Sequence, residues 1–284
     1  MSSQERQFTA HTHDGEIVGW VRGSDPDLPK AVLLHGGPGL SEYMAPLSVE
    51  FDGLLTSARY QQRGLAPSEV GGDVSVDGHV ADAIALITAL GWEKPVVVGH
   101  SWGGHLAMHL AVAHPAMVGP LVIVDSLGAV ERGGQREFGP NLRRGLSAAQ
   151  MDRLRELEEI GEPTSDQIRE HLGILWPNYF GDPSKPAPMP QTEFAANADQ
   201  TWASIQAHFR KGTLARRLPR VESPALVIHG ERSPIPVHQA ARIAQLIPNA
   251  QLVVIPGVGH WPWLERPGTM RDIIGAFLDS AMSH

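Results

Sequence analysis

The chain has 284 residues, no cysteine, 30 Gly and 23 Pro, with 42% apolar residues and 31 acidic against 23 basic side chains for a net charge of −8. At about 150 residues per domain this is two domains, or one large α/β domain with an insertion, and the apolar fraction excludes wholesale disorder. The absence of cysteine excludes disulfides, a thiol nucleophile and thiolate metal sites. A net negative chain with no run of five like charges is a poor ligand for nucleic acid or an anionic membrane. No apolar stretch approaches the roughly 18 residues of a membrane span, and Met1–Gln7 lacks the apolar region of a leader, so a soluble cytoplasmic protein is expected.

In chain order, Ile17–Val21 and Ala31–Leu34 pattern as strands, the second running into the loop His35-Gly36-Gly37-Pro38-Gly39. Leu54–Tyr60 is a further strand. Val76–Leu90 has apolar residues at helical spacing (Val76, Val80, Ala83, Ile84, Ile87, Leu90) and stops at Gly91. Pro95–Val98 is a short β-branched run, Gly103–His114 a helix stopped by Pro115, and Leu121–Val124 a strand. From about Gly128 to Leu218 helical patterns occur without a clear strand: Met151–Ile160, then a proline-dense loop from Pro177 to Pro190, then Phe194–Phe209. Alternation resumes with Ala225–His229, Val237–Leu246, Gln251–Ile255 and Met270–Ala281. Strand–helix alternation predicts a mostly parallel sheet with helices on both faces, built from residues 1–127 and 219–284, with 128–218 inserted as a helical cap.

The segment Val96-Val97-Val98-Gly99-His100-Ser101-Trp102-Gly103-Gly104 is a strand, then Gly-x-Ser-x-Gly, then a helix. So sharp a turn leaves Ser101 at its tip, with the hydroxyl above the carboxyl edge of the sheet. Gly99 and Gly103 are required because a side chain would strike the neighbouring strand or helix. The helix N-terminus below Ser101 favours developing negative charge.

These features, together with His35-Gly36-Gly37-Pro38-Gly39, Gln62-Arg63-Gly64 followed by Pro67-Ser68, and Gly259-His260, resemble the α/β-hydrolase family. Within it the chain is similar to the proline-iminopeptidase-like branch, over about residues 15 to 280. The resemblance implies a serine hydrolase of a small-molecule substrate, with no metal or organic cofactor. It makes Ser101 the nucleophile and His260, in the loop after the last strand, the base. It also implies oxyanion donors at the N–H groups of Trp102 and Gly37. His35 then holds its loop together, and Arg63 braces the loops around the site.

The family's usual place for the acid that orients the base is the loop after the penultimate strand. Here that loop reads Gly230-Glu231-Arg232-Ser233-Pro234, with Ser233 where the carboxylate is expected. A hydroxyl cannot stabilise an imidazolium as a carboxylate does. Asp125, at the end of the strand Leu121–Val124, lies on the same sheet edge, and some family members carry their acid there. Glu231 and the absence of any acid stay open as alternatives.

The aminopeptidases of this branch hold a free amine with cap glutamates, and Gln206 stands near one such position. Glu158, Glu159, Glu193 and Asp199 are carboxylates of the cap. Trp176, Tyr179, Phe180, Trp202 and Phe209 either line a pocket for a small hydrophobic substrate or pack the cap onto the core. His100, Trp176, Trp202 and Trp261 are the candidate substrate contacts. Three readings result: an esterase or amidase, a proline-iminopeptidase-type enzyme, and a non-catalytic ligand-binding relative that lost its acid at Ser233. The substrate and the oligomeric state are not legible.

Overall fold

The computed structural model describes residues 5–130 and 134–282. Residues 1–4, at the start of the stretch examined for a leader, lie outside the described residues, as do 131–133 of the predicted insertion.

Among the described residues nine strands form one sheet: β1 (Glu5–Thr12), β2 (Gly15–Arg22), β3 (Lys30–Leu34), β4 (Thr56–Tyr60), β5 (Glu69–Val70), β6 (Val96–His100), β7 (Leu121–Val124), β8 (Ala225–Gly230) and β9 (Gln251–Ile255). Their spatial order is β1-β2-β4-β3-β6-β7-β8-β9, with β5 paired to β2. From β4 to β9 every pairing is parallel, whereas β2 runs against β1, β4 and β5. The mostly parallel sheet is therefore as predicted. The antiparallel strand β1 has no counterpart in the sequence reading, because its side chains are mostly exposed and only Ala10 is fully buried. A half-wet edge strand lacks the dense apolar run that marks a central one.

The central strands are buried on both faces. Alternate residues point to opposite sides. Val32, Val97, Ile123 and Val227 meet one cluster, with α2 (Val76–Leu90), α3 (Trp102–Ala113) and α9 (Val237–Leu246). Leu33, Val98, Val122 and Ile228 meet the other, with α1 (Ala45–Glu50), α10 (Pro262–Glu265) and α11 (Thr269–Ala281). The α2 helix starts where the Ser75 side chain accepts from Gly78 N–H and ends at Gly91 in the left-handed region (φ +64°).

Between β7 and β8 come α4 (Gln135–Leu142), α5 (Ala148–Glu158), α6 (Ser165–Leu175), α7 (Ala198–Lys211) and α8 (Thr213–Arg217). Capping boxes at Ser147/Gln150 and Thr164/Gln167 start α5 and α6. The predicted helix Phe194–Phe209 begins four residues later than expected, because Phe194 forms an isolated bridge with Leu40. That bridge ties the segment between β7 and β8 to the Gly-rich loop after β3.

The order of strands reverses at β3, since β4 lies on one side of it and β6 on the other. Such a switch point leaves a crevice at the carboxyl ends of the two strands. In the β3–β6 register Leu34 faces Gly99, so the Gly-rich loop and the turn at Ser101 leave the sheet side by side.

Candidate active site

Ser101 follows β6 and opens α3 with φ +57° and ψ −120°, a backbone conformation costly for any residue with a side chain. Neighbouring backbone enforces it. A Cβ on Gly99 would lie 2.2 Å from the Gly103 carbonyl oxygen, and one on Gly103 would lie 1.9 Å from that of Leu34. Ser101 N–H donates to Val124 O at 2.9 Å, which fixes the turn against β7. Trp102 N–H lies in the first turn of α3, where a helix has no acceptor of its own for it. The Trp102 indole is fully buried and donates to Gln62 Oε1 at 2.9 Å.

The Gly-rich loop is braced by His35 and Gln62. Gln62 Nε2 donates to His35 O at 2.8 Å, Gln62 N–H to His35 Nε2 at 3.3 Å, and His35 Nδ1 to Gly36 O at 3.0 Å. Gly37 sits at φ +54°, and a Cβ on Gly36 would come within 2.6 Å of Ser101 Cβ. Arg63 makes a two-pronged ion pair with the buried Asp82, 2.6 Å at each oxygen, beneath these loops. Both His35 and Arg63 thus hold the loops, as their positions in the sequence suggested.

In the β6–β7 register His100 faces Val124, and in β7–β8 Val124 faces Ile228. Asp125, the residue after β7, therefore lies between Ser101 and His229 on one edge. It is fully buried at φ +44°. Its Oδ2 accepts from Gly230 N–H at 2.8 Å, and its Oδ1 lies 3.3 Å from His260 Nδ1 and 3.4 Å from His229 Nδ1. Burial alone would raise this carboxyl. The imidazoles of His229 and His260, with help from the Ser233 hydroxyl, outweigh burial and hold it down at about 2.

His260 N–H donates to Tyr179 O at 2.7 Å, which hangs the loop after β9 from the segment between β7 and β8. Glu231 is engaged elsewhere: its Oε2 accepts from Gly257 N–H at 2.8 Å and so closes the base of the same loop. Ser233 Oγ accepts from Ile235 N–H at 3.2 Å.

Ser101, Trp102, Gly37, His260, Trp176, Trp202 and Trp261 share the wall of one cavity of about 110 Å³. Ser101 Oγ and His260 Nε2 make no hydrogen bond to each other among the described residues. Leu127, Phe138, Leu172 and Met189 add to a largely apolar lining that, among the described residues, contains no Asp, Glu, Lys or Arg. Trp176 is anchored by its indole N–H to Ala187 O at 2.6 Å. Gln206, Glu158, Glu159, Glu193 and Asp199 are not in the wall. Glu158 pairs with Arg143 and His171 at the surface. Nor does His100 line the cavity: it is wholly buried, with each ring nitrogen engaged by protein. As the residue between Gly99 and Ser101 it ends β6 and is not part of the cavity wall, whereas the sequence placed it among the substrate contacts.

Tyr43 is the residue the sequence did not single out. Its hydroxyl accepts from Gly36 N–H at 2.6 Å and lies 2.7 Å from His100 Nδ1. No local pattern could reveal a contact across 57 residues. Among the described residues no three His, Cys, Asp or Glu side chains group so as to hold a metal.

The switch-point crevice, the strained turn at Ser101 and the Gly-rich loop beside it define the architecture of an α/β hydrolase. The model of the alpha/beta hydrolase family matches residues 31–273, and the chain belongs to that family. Among its relatives, a 2-hydroxymuconate semialdehyde hydrolase of Pseudomonas putida is 31% identical over 270 residues, covering 88% of this chain and 87% of the relative. An sn-1-specific diacylglycerol lipase of Mus musculus is 26% identical, covering 89% and 82%. The structure of a proline iminopeptidase from Mycobacterium smegmatis superposes with a TM-score of 0.69 at 27% identity, covering 97% of this chain and 98% of the other. The proline iminopeptidase is one of several neighbours, and hydrolase and lipase names are more prominent. No helix among the described residues is long and apolar enough to cross a membrane.

Proposed function

We propose that the chain is a serine hydrolase that cleaves a small, neutral ester or amide through an acyl-enzyme. Ser101 attacks the carbonyl while His260 takes its proton, and Asp125 orients and stabilises the imidazolium. The N–H groups of Gly37 and Trp102 hold the oxyanion. His260 then protonates the leaving group, and water repeats the sequence on the acyl-enzyme. Residues 128–218 act as the cap that roofs the site, and Trp176, Trp202 and Trp261 contact the acyl group.

The observation that carries this reading is that Ser101, held in a strained turn, and His260, held on Asp125, open onto the same apolar cavity. Catalytic contacts are often long before substrate binds and tighten in the complex, so the open Ser101–His260 pair is compatible with it. The lining favours neutral substrates. A buried ammonium or carboxylate without a counter-charge pays a large desolvation cost, and among the described residues no Asp, Glu, Lys or Arg lines this wall. That argues against the free amine of an aminopeptidase substrate. It argues equally against the anionic substrate named for the Pseudomonas relative.

The test is intact-mass labelling by a fluorophosphonate between pH 5 and 9. The wild type is expected to take up one equivalent and Ser101→Ala none. No labelling of the wild type, with ligand binding that Ser101→Ala leaves intact, would move the chain to the non-catalytic reading. Hydrolysis of short acyl esters is then compared with that of prolyl amides. A preference of about a hundredfold for the prolyl amide, near 2.7 kcal/mol of transition-state discrimination, would replace the esterase by the aminopeptidase.

A further inference from the structure

We propose that Tyr43 and His100 are positioning residues for this reaction, forming one directional hydrogen-bond strut that ties the oxyanion loop to the loop bearing the base. The proposal rests on the hydrolase reading above. Its direction follows from which groups can donate. His100 Nε2 lies 2.8 Å from the His260 carbonyl oxygen, which can only accept, so Nε2 carries the ring proton. His100 Nδ1 then bears a lone pair and accepts the Tyr43 O–H at 2.7 Å. The Tyr43 oxygen in turn accepts Gly36 N–H at 2.6 Å. Every donor and acceptor along the line is used once, and for a neutral ring no other assignment of protons satisfies all three contacts.

The protonation states agree with that direction. Burial, together with the neighbouring His260, keeps the His100 ring well below the usual histidine range, so it stays neutral. Burial likewise pushes the Tyr43 hydroxyl well above its usual range, so it keeps the proton it donates.

The strut joins three pieces of chain far apart in sequence: the peptide preceding Gly36, the elbow residue preceding Ser101, and the backbone of His260 itself. The two loops leave different strands and have no hydrogen bond to each other among the described residues. The seat is tight: a Cβ on Gly36 would fall 2.4 Å from the Tyr43 hydroxyl. The hydroxyl holds the N–H of the His35–Gly36 peptide, the unit next to the Gly36–Gly37 peptide whose N–H is proposed for the oxyanion, so its loss loosens the seat of that donor. Substrate still binds in the apolar cavity, so the loss falls on kcat.

A double-mutant cycle on ester hydrolysis tests this. Tyr43→Phe and His100→Gln are each expected to lower kcat about 10- to 100-fold with KM within about threefold, the scale of a small misplacement of catalytic groups. The double variant is expected to be no worse than the poorer single variant, because a strut broken once is broken. Multiplicative losses, or losses confined to KM, would overturn the proposal. If a His100 variant fails to fold, ¹⁵N NMR of the wild-type imidazoles decides. A neutral His100 ring protonated on Nε2 from pH 6 to 9 is expected, whereas an Nδ1–H tautomer or a doubly protonated ring would overturn the strut. A wild type that fluorophosphonate does not label sinks the hydrolase reading itself; a labelled wild type with independent losses sinks only the strut.

Discussion

Asp125 shows how much one residue's surroundings decide. Its carboxylate is enclosed, yet three groups of the same sheet edge keep it ionised. Its Oδ1 faces two imidazoles, those of His260 and His229, at nearly equal distance. In the mechanism proposed here, Asp125→Asn lowers kcat by about 10³- to 10⁴-fold, the effect of removing the carboxylate that orients the base. Glu231→Gln, which alters only the contact to Gly257 N–H, stays within a few-fold. Steady-state kinetics on the two variants separates them, and the reverse ranking would return the acid to the loop after β8. Ser233 carries no negative charge to offer His260, and of the two substitutes visible in the sequence Asp125 is the preferred one. Asp125 lies beside His260, and Glu231 is committed to a backbone amide.

At the scale of elements, the strand–turn–helix from β6 to α3 stands because two glycines let backbones approach more closely than any side chain permits. Gly103→Ala is expected to abolish activity and destabilise the fold by more than about 3 kcal/mol, since the added carbon meets the Leu34 carbonyl rather than a movable side chain. Gly173 makes the contrast. It lies exposed within α6, where a Cβ would meet nothing within 4 Å. Gly173→Ala is expected to stabilise by about 0.5–1 kcal/mol, from reduced freedom of the unfolded chain and better helix propensity. Thermal unfolding of both variants checks the pair, and equal effects would contradict it. Both glycines look alike as letters. The Gly-x-Ser-x-Gly context made the role of Gly103 legible, whereas nothing near Gly173 announces that its site is open.

Over the whole molecule, stability in acid is governed by histidines folded away as neutral rings. Burial lowers His35 and His105 to about 4 and His79 to about 3, from an ordinary value of 6.5. The unfolded chain binds these protons first. Each ring therefore contributes stability that is full above about pH 6.5 and is lost as pH falls through its folded value, on the order of 3 kcal/mol per ring by pH 4. Against a typical total of about 5–15 kcal/mol, three such terms, about 9 kcal/mol together, remove a large share of the domain's stability. A cooperative acid transition monitored by circular dichroism is expected with its midpoint above about pH 4, and a protein still folded at pH 3.5 would contradict it. Asp125 belongs to a different window: its contribution is present above about 3.8 and disappears only as pH falls toward 2.

The elements were determined by the sequence alone wherever the pattern is local. Periodicity marks α2 and α9 to the residue, β-branched runs mark β6 and β7, and the spacing of glycines about Ser101 implies the elbow and with it the family. These are short-range consequences of side-chain sterics and burial, which neighbouring letters carry. The sequence also named Gly37, Ser101, Trp102, His260 and Trp261 of the cavity wall, because each follows the end of a strand and parallel strands deliver their ends to one edge. Tertiary structure alone decided the rest. It placed the Asp125 carboxylate against His260, left His100 out of the cavity wall, and brought Tyr43 across to Gly36 and His100. It also lined the cavity, among the described residues, without an Asp, Glu, Lys or Arg side chain. Each of those depends on strand register and on the packing of the segment between β7 and β8. Hydrogen bonds and desolvation act through space at about 3 Å, between residues that the chain separates by tens of positions.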